Sequence, residues 1–215
     1  YNVQILWYNR EYTAFRRKNI MKAAVTTDFG TIEYKDVPVP EIGDDEALIQ
    51  VACSGVCGTD VHVFQGHHPA AKPPVIMGHE FSGVISEIGD KNPKGLTKGD
   101  RVVVQPFESC GVCELCVTGR ENVCPDLRIF GVHRDGSFAE YVQAPMKRIY
   151  TISDDLDFDI AALIEPLAVA LHDVRSGGFS VGNSALIIGG GPIGLLIAAV
   201  ARLNGASDIL VTELN

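Results

Sequence analysis

Two groups of potential metal ligands lie in this sequence, and the denser one is a run of cysteines. The stretch FESCGVCELCVTGRENVC, residues 107–124, contains four of the six cysteines of the chain. Gaps of two, two and seven residues suit four thiolates around one zinc ion, because tight turns can aim consecutive sulfurs inward. Such a site has no open coordination position, so we expect a structural clip in a loop too small to form its own core. The predicted ligands are Cys110, Cys113, Cys116 and Cys124.

Two other interpretations of the cysteine run stay open, an iron–sulfur cluster and reduced thiols without metal. Ferredoxin cysteines have a similar close spacing. Disulfides are not expected, because residues 1–20 carry their basic side chains after the apolar stretch, the reverse of a secretory signal. We interpret residues 1–20 as an upstream extension that is not native, with Met21 as the natural start. The predicted location is cytoplasmic, where clustered cysteines bind metal or do chemistry.

The second group of potential ligands is sparser. Cys57, His79 and Glu80 offer a sulfur, an imidazole and a carboxylate, and zinc accepts all three. Taken alone this trio is a weak signal, because such residues occur together by chance in most chains of this size. The remaining cysteine, Cys53, is predicted to be a buried core thiol.

A glycine motif predicts a dinucleotide site near the end of the chain. The pattern GxGxxG lies between the apolar stretch ALII and the helical stretch GLLIAAVARL. Glycines there allow a tight turn and close approach to a pyrophosphate, and the helix N-terminus attracts the anion. The residues predicted to bind it are Gly189, Gly191, Pro192, Ile193 and Gly194.

One acidic residue predicts which dinucleotide binds. Glu213 follows Gly194 by nineteen positions and ends the second apolar stretch of this region. A carboxylate there grips the ribose hydroxyls of NAD and repels the additional phosphate of NADP. The sequence therefore favours NAD.

The composition limits the classes of function in which these residues can take part. The chain has 215 residues, 46% hydrophobic and 21% charged, which is enough apolar material for a core. A net charge of −9 without a basic stripe excludes nucleic acid as the expected partner. Glycines and a proline interrupt the longest apolar run, at 185–201, so we expect no membrane span.

The elements that would position these residues change in character after Tyr150. From Lys22 to Tyr150 the chain alternates short strands with turns, as in an all-β barrel or sandwich. Residues 157–179 have helical spacing, which Pro166 must end or kink. A strand, a glycine turn, a helix and a strand follow, as in the start of a parallel doubly wound sheet. Because such a sheet needs more strands, we expect this domain to be incomplete.

Five motifs, in this order, resemble the zinc-containing medium-chain dehydrogenase/reductase family: CGTDVH, GHEFSGVISEIG, the cysteine run, EPLAVALH and GGGPIG. The sorbitol, threonine and butanediol dehydrogenase branch is most similar, and the resemblance runs from Met21 to Asn215. It implies an α/β plus all-β chain, in which a GroES-like β-barrel catalytic domain precedes the start of a Rossmann sheet. The implied bounds are 21–150 for the catalytic domain, 107–125 for its zinc lobe, 151–180 for linking helices and 181–215 for the partial Rossmann domain.

The resemblance also implies roles for individual residues. Cys57, His79 and Glu80 match the ligands of the family's catalytic zinc, and Glu165 lies at or near the fourth position. An acidic residue favoured by a helix dipole is the alternative for Glu165. The other implied roles belong to Thr59, which accepts the hydrogen bond of the substrate alcohol, His62, which relays the proton, and Asp60, which orients His79 or caps a helix beginning near Val61.

The function implied is oxidation of a secondary alcohol by NAD, with a polyol, a sugar acid or an amino alcohol such as threonine as substrate. Two zinc ions, one catalytic and one structural, and a homo-oligomer, dimer or tetramer, belong to the same expectation. The alternatives are a zinc-ribbon binding module without catalysis and an inactive truncated gene product. The number of zinc ions per chain separates the enzyme from the module.

Overall fold

The structure is a computed structural model, and it describes residues 7–8 and 19–214. These residues form two compact units, which divide between Ala162 and Leu163. The predicted linking segment 151–180 therefore contributes residues to both units. Most of the predicted upstream extension, residues 1–6 and 9–18, lies outside the described residues.

The first unit is built from antiparallel sheets, as the strand pattern predicts. Its largest sheet has the order β1-β4-β6-β7-β11, with β10 also paired to β4. A three-stranded sheet has the order β3-β2-β5, and β8 pairs with β9. The strands are β1 Trp7–Tyr8, β2 Ile20–Asp28, β3 Thr31–Pro38, β4 Glu46–Ser54, β5 Val75–Ile76, β6 Phe81–Ile88, β7 Arg101–Val104, β8 Phe107–Glu108, β9 Arg128–Ile129, β10 Tyr141–Pro145 and β11 Ile149–Thr151.

Short helices lie in the connections of this unit. They are α1 Gly58–Phe64, α2 Glu114–Val117 and α3 Phe158–Ala162, with single 3₁₀ turns at Glu121–Val123 and Met146–Arg148. Strand β3 was not predicted from the sequence, because charged and polar residues dominate it. It is the edge of its sheet and mostly exposed, which removes the apolar alternation that marks a half-buried strand.

The core of the first unit lies between β4, β6, β7 and β10. Ile49 and Ile85 pair across β4 and β6, and both are fully buried. The rings of Phe81 and Phe130 belong to this core, with centroids 6.4 Å apart. Burial of such side chains supplies the main stabilising free energy of the unit.

The second unit begins with a helix and continues with a strand, a helix and a strand. They are α4 Ile164–Ser176, β12 Ala185–Ile188, α5 Pro192–Leu203 and β13 Ile209–Thr212. Strands β12 and β13 pair in parallel, as predicted for the start of a doubly wound sheet. The helical stretch breaks at Leu163, as the proline predicts: α3 ends at Ala162, whose carbonyl would clash with the Pro166 ring in a continuous helix, and Pro166 lies in the first turn of α4. A proline is tolerated there, because the first amide groups of a helix have no partner within it.

The two strands of the second unit leave apolar side chains in solvent. Leu186 is 63% exposed and Ile188 is 86% exposed, although parallel strands normally bury both faces. Ala170, Val174 and Val200 form a separate small core between α4 and α5. Among the described residues, no helix is long and apolar enough to cross a membrane.

We expect Ile85→Ala to lower the free energy of unfolding of the first unit by about 2–5 kcal/mol, because it leaves a cavity beside Ile49. Ile32→Ala is the matched control: Ile32 lies on edge strand β3 and is 47% exposed, so the expected loss is below about 1 kcal/mol. Urea denaturation of both variants measures the difference. Equal losses would contradict the assignment of the core.

Candidate metal centres and dinucleotide loop

The pairing of β4 with β6 brings the sparse ligand trio together. Ser54, the last residue of β4, pairs with Phe81, the first residue of β6. Cys57 follows β4 by a short turn and precedes α1, while His79 and Glu80 come directly before β6. Since antiparallel strands place the end of one beside the start of the other, the three side chains meet at one edge of the sheet.

The trio has the geometry of a metal site. A ligand atom of each residue, the Cys57 sulfur, a His79 nitrogen and a Glu80 oxygen, lies within 4.8 Å of the other two. His79 and Glu80 are 6% and 5% exposed, and Cys57 is half-buried. Buried sulfur, nitrogen and oxygen donors that converge in this way fit zinc and leave room for a further ligand.

Asp60 connects the trio to the backbone. Its Oδ2 accepts the Cys57 N–H at 2.8 Å and its Oδ1 accepts the Gly78 N–H at 3.0 Å. The same Oδ1 lies 3.5 Å from His79 Nδ1. The predicted helix near Val61 begins three residues earlier, at Gly58, so Asp60 lies inside its first turn. Its side chain caps the helix by accepting the N–H of the N-cap residue, Cys57. The Asp60 carboxylate therefore caps α1, as predicted, and also lies beside the His79 ring, while its role in orienting that ring stays a prediction.

The electrostatics of the trio favour a bound positive charge. Burial lowers the pKa of His79, but the nearby Asp60 carboxylate and Cys57 thiol outweigh burial and raise this pKa well above its ordinary value. The pKa of Glu80 lies above its ordinary value, because burial raises it and the Asp60 carboxylate adds to the rise. The nearby His79 offsets only part of this rise. Anionic donors around one imidazole attract a cation, which a proton or a divalent metal can supply.

The loop that contains Asp135 and Ser137 holds the backbone of the residues before His79. Asp135 Oδ1 accepts the Ile76 N–H at 2.9 Å. The Ser137 N–H donates to the Gly78 carbonyl at 3.0 Å. Nothing in the local sequence around Asp135 signals this role, because its partner lies fifty-nine positions away.

The remaining residues with predicted roles at the catalytic zinc lie on two helices. Thr59 and His62 are three positions apart on α1, so they are neighbours on the helix surface. Thr59 is half-buried and His62 is exposed. Glu165 lies in the first turn of α4, in the second unit, where the helix dipole favours an acidic side chain. Its assignment as a zinc ligand stays a prediction.

The four-cysteine lobe has the dimensions of a closed tetrahedral site. Neighbouring sulfurs lie 3.4–3.9 Å apart, too far for disulfides. Four sulfurs about 2.3 Å from one ion have edges of about 3.8 Å. All four thiols are free, and the pairs measured join Cys110, Cys113, Cys116 and Cys124.

The backbone of the lobe already supports a thiolate. The N–H groups of Val112 and Cys113 donate toward the Cys110 sulfur and lower the pKa of its thiol to about 6. For Cys113, the Cys116 N–H lowers the pKa, but contact with the neighbouring thiols and burial raise it to about 11. A zinc ion favours the deprotonated form of every thiol that it binds.

A buried arginine ties this lobe to the barrel, and the sequence analysis missed it. The Arg148 guanidinium donates to Gln105 Oε1 at 2.7 Å, to Ser109 Oγ at 2.9 Å and to Glu121 Oε2 at 2.6 Å. It also lies over the Phe107 ring, 5.0 Å from the centroid. The Arg148 side chain holds the pKa of Glu121 below its usual range. An arginine in isolation gives no signal of such contacts.

The glycine motif forms the loop between β12 and α5. Gly189 has a φ of +106°, a conformation that favours glycine, and its N–H donates to the Thr212 carbonyl at 2.9 Å. A Cβ on Gly194 would overlap the Gly189 carbonyl oxygen, so this glycine permits close packing of α5 against the loop that follows β12. Gly191 is the N-cap of α5 and Pro192 its first residue.

Glu213 lies directly after β13 and contacts this loop. Its Oε2 accepts the Gly190 N–H at 2.7 Å, and its Oε1 accepts the Leu214 N–H at 2.7 Å. The carboxylate is thus held beside the turn where a dinucleotide pyrophosphate is expected.

The first unit matches a known protein family. Residues 43–154 match the alcohol dehydrogenase GroES-like domain. The chain is 41% identical, over 200 residues, to an L-threonine 3-dehydrogenase of Bacillus velezensis, and 39% identical, over 199 residues, to a sorbitol dehydrogenase of Bacillus subtilis. These alignments cover 91% and 90% of the chain, and 57% and 56% of the two relatives.

A solved structure extends the likeness to three dimensions. It is a zinc-binding dehydrogenase from Sinorhizobium meliloti with NADP bound, and it superposes with a TM-score of 0.88 at 41% identity. The match covers 92% of this chain and 57% of that one. The chain therefore spans little more than half the length of the relatives that it matches.

We expect Cys53 to resist alkylation in the folded protein. Its side chain is fully buried in β4, and burial together with the charge of Asp159 raises the pKa of its thiol to about 11. At pH 8 only about one thiol in a thousand is then ionised. Peptide mass spectrometry after iodoacetamide treatment, with a chelator present, should find Cys57 modified and Cys53 intact. In urea both should react, and rapid modification of Cys53 without urea would contradict its placement.

Proposed function

The chain belongs to the zinc-type medium-chain alcohol dehydrogenase family, and from this premise we propose that it oxidises a secondary alcohol with NAD as the hydride acceptor. The observation that carries the proposal is the convergence of Cys57, His79 and Glu80 within 4.8 Å. Such a donor set serves a zinc ion that can take an alcohol as a further ligand. A polyol, a sugar acid or an amino alcohol such as threonine is the proposed class of substrate.

We assign the catalytic zinc to this trio, with Glu165 as the proposed fourth ligand. Zinc bound there supplies Lewis acidity, which lowers the pKa of an alcohol hydroxyl by several units. Asp60 holds the backbone of Cys57 and Gly78 through its two oxygens, so both segments that carry ligands move as one. Its Oδ1 beside His79 Nδ1 orients the ring so that Nε2 can face the metal.

The proposed path for the alcohol proton runs along α1. Thr59 accepts the hydrogen bond of the substrate hydroxyl, and its half-buried position shields that contact from bulk water. His62, one turn further along the helix, is exposed and can exchange the proton with solvent.

A second zinc is assigned to the four-cysteine lobe in a structural role. The sulfur spacing fits a closed tetrahedron, which keeps no position for a substrate. The hydrogen bonds of Arg148 join the lobe to the segments that follow β7 and precede β11. A zinc-ribbon binding module would need only this lobe, so the separate open trio favours the enzyme over that alternative.

NAD is the proposed cofactor rather than NADP. One solved relative has NADP bound, so membership of the family does not decide between the two. The support comes from the Glu213 carboxylate at the end of β13, next to the Gly190 N–H. A carboxylate at this place binds ribose hydroxyls and repels a phosphate.

The test of the function uses a polypeptide that continues these residues to the length of the relatives. With NAD and a panel of polyols, sugar acids and amino alcohols, we expect reduced nicotinamide to form, and two zinc ions per chain. Cys57→Ala should lower turnover by about 1000-fold or more, because zinc supplies several kcal/mol of transition-state stabilisation.

Cys110→Ala is the matched control for this loss. It removes a lobe ligand, so we expect one zinc ion fewer and a lower melting temperature, while the protein that stays folded keeps its turnover. Metal analysis and steady-state kinetics measure both effects. Full turnover in Cys57→Ala would refute the assignment, and one zinc ion per native chain would favour the binding module.

Glu213→Ala tests the choice of cofactor in the same polypeptide. We expect the preference for NAD over NADP, measured as the ratio of kcat/KM values, to fall by about 10-fold or more, because the repulsion of the phosphate is lost. Asp208→Ala is the control, since this carboxylate precedes the same strand at its opposite end. An unchanged ratio in Glu213→Ala would contradict the role of this residue.

A further inference from the structure

We propose that Gly55 is a positioning residue for the catalytic zinc, because the absence of a side chain there leaves the space that the Glu80 carboxylate occupies. The inference rests on the proposed function, in which Glu80 is a zinc ligand. Gly55 contributes no ligand atom itself and acts only through Glu80.

The sheet places these two residues opposite each other. The pairing of Ser54 with Phe81 continues by one residue, and the Gly55 N–H donates to the Glu80 carbonyl at 2.7 Å. Side chains of residues directly opposite on an antiparallel pair share the same face. The Glu80 side chain therefore lies over the position where any other residue at 55 would carry its Cβ.

The Glu80 side chain fills the space beside the Gly55 Cα. An ideal Cβ built on Gly55 would lie 2.5 Å from Glu80 Oε2, 3.3 Å from its Cβ and 3.6 Å from its Cδ. Carbon and oxygen atoms need about 3.5 Å between them, so a methyl group would shift the carboxylate oxygen by about 1 Å. Metal–ligand distances tolerate about 0.2 Å, so this shift takes the oxygen away from the metal.

The strain would fall on the side chain rather than on the backbone. Gly55 does not have a left-handed φ, so alanine can adopt its conformation. The closest atom is the far end of the Glu80 side chain, which can rotate. We therefore expect Gly55→Ala to fold and to bind the catalytic metal poorly.

Gly58 offers a matched control three residues away. It also lies outside the left-handed region, and a Cβ on it would meet no atom within 4 Å. Gly58 begins α1, where alanine is the better helix former. A Gly58→Ala variant therefore makes the same chemical change beside Cys57, another residue of the trio, without displacing the Glu80 carboxylate.

The experiment measures zinc affinity in the 215-residue chain by competition with a chromophoric chelator, and cobalt absorption as a report of ligand geometry. Native protein and Gly58→Ala should bind two zinc ions per chain. Gly55→Ala should keep the zinc of the four-cysteine lobe and its melting temperature. Its affinity for the other zinc should fall at least 10-fold, with an altered cobalt spectrum.

A double-mutant cycle shows whether Gly55 acts through Glu80. In a Glu80→Ala background, Gly55→Ala should cause no further loss of affinity, because the displaced group is gone. Native affinity in Gly55→Ala, or an equal loss in both backgrounds, would overturn the inference. If the native chain binds only the zinc of the lobe, the proposed function fails instead, so the two failures are distinguishable.

Discussion

The register between β4 and β6 is the constraint on which the catalytic site depends. Ser54 opposite Phe81 sets Cys57 on one side of the sheet edge and His79 with Glu80 on the other. The register shifts between Val51 and Cys53, where β4 takes one residue more than β6. Without that bulge the strand ends would be offset by one residue, and since side chains alternate between faces, the ligands would point apart.

The two candidate metal centres solve different physical problems. In the lobe, sulfurs close a tetrahedron within a segment that has few apolar side chains, so the metal substitutes for a core. At the trio, the pairing of the barrel strands holds the ligands in place, and three donors leave a coordination position for a substrate. Arg148 and Asp60 have comparable tasks: each is a buried charged group whose hydrogen bonds join segments distant in the sequence.

Sequence reasoning succeeded where spacing is local. The four-cysteine run, the glycine turn with its flanking strand and helix, and the alternation of short strands with turns before Tyr150 appear as predicted, because short-range geometry determines each of them. It failed where a partner is remote. Strand β3, the Asp135 clamp and the Arg148 tether depend on pairing across the fold, and α1 begins earlier than expected because Asp60 caps it from inside its first turn.

The sequence by itself determined the chemical types of the donors and the order of the elements that carry them. It could not bring Cys57 to His79 and Glu80, since these residues are weak signals alone and only the family resemblance joined them. The tertiary structure decided this convergence through the β4–β6 register, and with it the need for glycine at position 55. The physical reason is that a metal site is a set of distances of a few ångströms, and contacts between residues far apart in the chain set those distances.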